Sequence, residues 1–63
     1  MTPQEKARIL AEAVIYCREN KLLLPHELQA LHSDDEETRF STMCRAMIRM
    51  QRHKEINMQK RNK

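Results

Sequence analysis

Residues 9–17 read Ile9-Leu10-Ala11-Glu12-Ala13-Val14-Ile15-Tyr16-Cys17, with Glu12 the only charge among them. At about 100° per residue, a helix through this stretch is apolar nearly all round. Its one polar strip carries Glu5, Arg8, Glu12 and Glu19. A helix of that kind must be covered on several sides, and a chain of 63 residues holds little with which to cover it. The fold this implies is mainly α and completed by a second copy, an obligate homodimer.

Size points the same way. A domain this small buries only about 60% of the surface its unfolded chain exposes. Apolar burial set against chain entropy then comes out near zero, so a staple is required. Two cysteines are too few for a disulfide framework. Cys17 and Cys44 both fall on the apolar side of helical patterns, where reduced thiols behave as small hydrophobes and fit a cytoplasmic setting. His26 and His32 are six apart, and neither cysteine has a ligand type three or four residues away. Neither a metal nor any other cofactor is expected. Oligomerisation is the staple that remains.

Glycine is absent and proline occurs only at Pro3 and Pro25, which argues for helices joined by short connections. Thr2-Pro3-Gln4-Glu5 opens the first helix with a capping hydroxyl, a proline at the first helical position and a glutamate three residues after the cap. That helix should run to Arg18 or Glu19, with Asn20 taking the left-handed conformation that ends it. Lys21-Leu22-Leu23-Leu24-Pro25 is a short leucine-rich connector. Leu24 is biased toward extended geometry by Pro25. Leu22–Leu24 could form a short strand pairing with its own copy across a twofold axis, while Leu24, Leu28 and Leu31 also fit a helix from Pro25 onward. Ser33-Asp34-Asp35-Glu36 is the second start signal, with Ser33 as cap and Glu36 closing the box. The second long helix should run to about Lys54. The organisation expected is one helical dimerisation domain over residues 1–56, two helices intertwined with their copies, and a basic, frayed tail over 57–63.

The second helix divides into two surfaces. Phe40, Met43, Cys44, Met47, Ile48 and Met50 occupy an apolar arc of roughly 160° at 3.6 residues per turn. Leu10, Val14, Cys17, Leu22, Leu24, Phe40, Cys44 and Ile48 are the expected dimer core. Phe40, Met43, Met47 and Met50 are the candidate partner groove, because flexible thioethers suit a surface that accepts helices of varied sequence. Arg45, Arg49 and Arg52 form a basic stripe beside it, a candidate contact for nucleic acid or for the acidic rim of a partner.

Charge is unevenly spread. Residues 1–44 carry a net −3 and residues 45–63 a net +6. A basic end can bind an acidic surface, or simply complement the negative end of its own helix. Pro25 to Ile48 can be drawn as a helix-turn-helix, but the turn that would meet base edges carries Asp34, Asp35, Glu36 and Glu37. One Phe and one Tyr are too few for single-strand stacking. Helix capping accounts for the acidic run, and no catalytic constellation is present, so an enzyme is not expected. No apolar run approaches the roughly 20 residues that span a bilayer. A basic n-region is missing, and Glu5 and Glu12 interrupt any signal-type apolar stretch, so neither membrane nor secretion is expected.

The whole chain resembles the short early proteins of lambdoid phages encoded between the exonuclease and excisionase genes. The resemblance is greatest over Ala11-Glu12-Ala13-Val14-Ile15-Tyr16-Cys17-Arg18-Glu19-Asn20-Lys21-Leu22-Leu23-Leu24-Pro25. It implies a bacterial host cytoplasm, early expression, a part in tilting development toward lysis, and action by binding a host or phage protein without catalysis. The expected function is thus a homodimeric protein-interaction module, with a small DNA-binding dimer as the alternative.

Overall fold

Thr2 is extended (φ −75°, ψ 157°), its Oγ1 accepts the Glu5 backbone N–H at 3.1 Å, and Pro3 fills the first helical position. Helix α1 runs Pro3–Glu19. The structure, a computed structural model, describes residues 1–61, with side-chain surroundings through Met58. Three helices follow in order: α1, α2 (Pro25–Ala30) and α3 (Glu36–Arg61). Where two helices and a connector are expected, the connector holds a short helix of its own.

The end of α1 is a tight reversal. Leu22 N–H reaches Cys17 O at 2.8 Å and Lys21 N–H reaches Arg18 O at 3.3 Å, the paired bonds of a Schellman closure. The left-handed residue is Lys21 (φ 58°), one position later than the sequence suggests. Asn20 stays in the last turn because its backbone N–H and its side-chain amide both donate to Tyr16 O, at 3.0 and 2.8 Å.

Leu24 is extended (φ −78°, ψ 156°), and no strand occurs among the described residues. The backbone groups a strand would need are used within the chain. Leu22 O accepts from Arg49 Nη1 at 3.1 Å, and Leu24 N–H donates to Glu27 Oε1 at 2.9 Å. Leu24 O accepts from the N–H groups of Glu27 and Leu28.

Asp35, rather than Ser33, caps α3. Its Oδ2 accepts the Thr38 N–H at 3.2 Å and the Thr38 hydroxyl as well. Ser33 instead shapes the turn before it: its Oγ accepts from Asp35 N–H at 3.1 Å, and its carbonyl accepts from Arg39 Nη1. The helix also outlasts its expected end at Lys54. It takes in residues 57–61 of the segment expected to fray, because nothing after Glu36 breaks it and Met, Gln, Lys and Arg are good helix formers. Residues 62 and 63 of that segment lie outside the described residues.

Helices α1 and α3 run in the same direction. Pro3 and Lys6 lie beside Glu36 and Phe40, Cys17 beside Ala46, and Tyr16 beside His53. The connector and α2 carry the chain back between them. Leu10, Ala13, Cys17, Ala46 and Met50 form the buried core, in which Ala13, Cys17 and Ala46 are fully enclosed. These are small side chains, and they let the two backbones approach closely. The Cys17 thiol donates to Ala46 O at 3.2 Å, and the buried Thr42 hydroxyl donates to Thr38 O at 2.9 Å. At the far end the Tyr16 hydroxyl is hydrogen-bonded to His53 Nδ1 at 2.7 Å, and Lys54 Nζ lies 5.2 Å from the centre of the Tyr16 ring. None of the described helices is long and apolar enough to cross a membrane.

The closure at Lys21 yields a stability prediction. A side chain in the left-handed region is strained where glycine is not. Lys21→Gly should stabilise the chain by about 0.5–1 kcal/mol, raising Tm by several degrees in a thermal melt. An unchanged or lower Tm would show that the turn is relaxed as it stands.

Candidate functional site

One charged side chain organises the middle of the molecule. Glu27 is the only buried residue of α2, with 1% of its surface exposed. Its Oε1 accepts from Leu24 N–H, which fastens the start of α2, and from Arg49 Nη1 on α3. The same Nη1 donates to Leu22 O. A single guanidinium thus joins the connector, α2 and α3. Glu27 Oε2 is buried without a hydrogen-bond partner. The hydrogen bond from Arg49 holds the Glu27 carboxyl below the usual carboxylate range, outweighing the burial that pushes it up. Burial raises the nearby Cys17 thiol, so at neutral pH it is an inert, protonated group.

The basic stripe is therefore divided. Arg49 is engaged inside the chain, while Arg45 and Arg52 are exposed. Between and beyond them stand Ile48 and Ile56, 47% and 52% exposed. The positions 45, 48, 52 and 56 recur at three- and four-residue steps, so Arg45, Ile48, Arg52 and Ile56 make one ridge along α3. Arg45 and Arg52 come from the expected stripe and Ile48 from the expected dimer core. Ile56 drew no notice in the sequence.

The methionine face is divided too. Met50 is sealed in the core against α1, which removes it from any groove. Met47 is half-buried against that core, and Met43 is half-buried at a trough between α1 and α3. Phe40, 43% exposed, borders the same trough beneath Lys6, whose Nζ lies 5.0 Å from the ring centre. Two hollows adjoin there, the first between α1 and α3 and the second between α1 and the α2 segment. One, of about 420 Å³, is lined by Pro3, Ala7, Leu10 and Phe40, and the other, of about 510 Å³, by Val14, Ile15, Leu28 and Leu31. Ala11 and Met43 border both and form the saddle between them.

Of the remaining expected core residues, Leu10 and Cys17 are buried within the chain. Val14, Leu22 and Cys44 are half-buried, and Leu24 is exposed. No group of three potential metal-ligating side chains occurs among the described residues. Sequence reasoning passed over Glu27 entirely. The available signal was its place as the third residue of a helix opened by Pro25, where a glutamate reaches back to the backbone.

No family model matches the chain, and no characterised protein or solved structure is significantly similar to it.

The carboxylate of Glu27 gives a pH prediction. Its pKa is lowered by folding, so its contribution is complete at neutral pH and is lost as pH falls below about 4, through the folded value. Glu27→Gln should destabilise the chain at pH 7 by about 1–3 kcal/mol. That is less than for a fully enclosed pair, because Arg49 can turn to solvent. The gap between the urea midpoints of wild type and variant should hold from pH 7 down to about pH 4 and narrow progressively below it. Parallel curves would separate the pair from the acid sensitivity.

Proposed function

We propose that this chain is a non-enzymatic protein-interaction module, working as a homodimer, that engages an acidic amphipathic helix along the outer ridge of α3. The observation that carries this reading is the alternation of exposed isoleucine with exposed arginine at 45, 48, 52 and 56. A phosphate backbone rewards cations and gains nothing from isoleucine. A partner helix with apolar anchors and acidic flanks is complementary to both. The engagement of Arg49 by Glu27 and the Leu22 carbonyl weakens the DNA alternative further, since it leaves two of the stripe's three arginines to face a phosphate.

The homodimer is supported by economy of surface. The chain exposes 5386 Å², about a quarter more than the roughly 4,300 Å² typical of a folded monomer of its 7.6 kDa mass. The resemblance to lambdoid phage early proteins supplies the setting of the same proposal. The partner is then a host or phage protein in the bacterial cytoplasm, and the outcome is promotion of lytic development.

A pair of designed helices tests the recognition. Both carry leucine at i, i+4 and i+7, one flanked by glutamate and the other by lysine. The glutamate-flanked peptide should bind, more weakly as salt rises, and Ile48→Asp should weaken it at least tenfold, or about 1.4 kcal/mol. Circular dichroism checks that the variant is folded. Equal binding of the two peptides would overturn the reading, and so would a sequence-dependent DNA mobility shift that survives about 200 mM salt.

A further inference from the structure

We infer that α2 is a built-in competitor for the partner site: Arg49 joins the α3 ridge as a third cation when a carboxylate of the docking helix takes the place of Glu27. The inference rests on the α3 reading above and adds to it a masked residue and the contact that masks it.

Arg49 stands where such a partner would meet it. It follows Arg45 by four residues and precedes Arg52 by three, so on the helix surface it neighbours both ridge arginines. Its side chain keeps 35% of its surface exposed even while paired with Glu27. The contacts to Glu27 Oε1 and Leu22 O both use Nη1, and Nη2 and Nε are left out of both.

Helix α2 offers an incomplete version of the same ligand. Leu24, Leu28 and Leu31 recur at i, i+4 and i+7 around Glu27, the pattern of an acidic amphipathic helix. Against α3, however, it commits only the carboxylate. Glu27 is its one buried residue, while Leu24 and Leu28 remain 52% and 39% exposed. An incoming helix brings a carboxylate together with apolar anchors for Ile48 and Ile56, so it gains contacts that α2 does not make.

The exchange of charges is close to balanced. Removing Glu27 from water offsets much of its attraction to Arg49. Its Oε2 is buried without a hydrogen-bond partner, a deficit that ends once α2 lifts and water reaches the carboxylate. Arg49 stays paired throughout, first with Glu27 and then with the partner. The buried apolar residues all stand on α1 and α3, so α2 can lift without opening the core. A helix without carboxylates offers no such exchange and leaves α2 in place. The contact therefore selects the partner by charge.

The glutamate- and lysine-flanked peptides test this on two variants and on the unmodified chain. Glu27→Gln should tighten the glutamate-flanked peptide about two- to fivefold, the worth of one more exposed ion pair, and should not tighten the lysine-flanked one. Adding Arg49→Gln in that background should cancel the gain, although both chains have lost the same ion pair. A merely loosened fold would move both chains alike. In the wild type, saturating glutamate-flanked peptide should speed hydrogen exchange at Leu24 N–H, which Glu27 Oε1 holds, while α1 amides stay protected. A helix of six residues does not persist once it is unfastened. The exchange measurement needs no variant, so it stands even where Glu27→Gln fails to fold. If Glu27→Gln binds no tighter than wild type, or Leu24 exchanges no faster on binding, the inference is overturned and the α3 reading remains. If wild type and Glu27→Gln each bind the two peptides equally, the α3 reading falls and the inference with it.

Discussion

The packing of this chain turns on a carboxylate. Helix α2 buries nothing except Glu27, so its place against α3 depends on the hydrogen bond and ion pair with Arg49. The arginine also grips the connector through Leu22 O, which fixes the path of the chain as it leaves α1. A small protein with few large apolar side chains inside has put a polar contact where a larger one would put leucine. The arrangement is specific, because a buried carboxylate tolerates few alternative positions. Stability is not its strength, since removing an ion pair from water cancels much of the attraction.

Much of the fold was legible because helix starts are written in short-range chemistry. Thr2, Pro3 and Glu5 announce α1 through contacts only three residues apart, and the structure repeats them. The acidic run at 34–37 announces α3 with equal clarity. It does not say which of several adjacent oxygen-bearing side chains will be the cap, and Asp35 took the place expected for Ser33 because Ser33 was drawn into the turn by Arg39. The long reach of α3 was missed for a different reason. Apolar periodicity ends near Met50, and beyond it the helix is carried on by good helix formers and tied to α1 by the polar contacts of His53 and Lys54 with Tyr16, which hydropathy does not register.

Which face of α3 meets α1 was not legible at all. The sequence offers an arc from Met50 round to Ile48, and the chain packs its edge, using Thr42, Ala46 and Met50. Ala46 and Thr42 give a close approach to Ala13 and Cys17 that Phe40 or Ile48 would prevent. Hydropathy ranks side chains by their aversion to water and is silent on the separation of two backbones. The candidate site suffered accordingly. Its methionines were assigned to one groove and lie in a core, a core margin and a trough, and Arg49 was counted as a free cation when its partner was twenty-two residues away.

The parallel course of α1 and α3 has an electrical consequence. Two helix dipoles side by side in the same sense repel, and each is answered by its own ends: Glu5 and the acids at 34–37 lie at the amino ends, with Arg18, Arg52 and Lys54 toward the carboxyl ends. A single protomer is therefore a bar with a negative and a positive pole, 45 Å in its longest dimension. An acidic helix drifting within about a Debye length, some 8 Å at physiological salt, would be turned toward the positive end before any side chain touched.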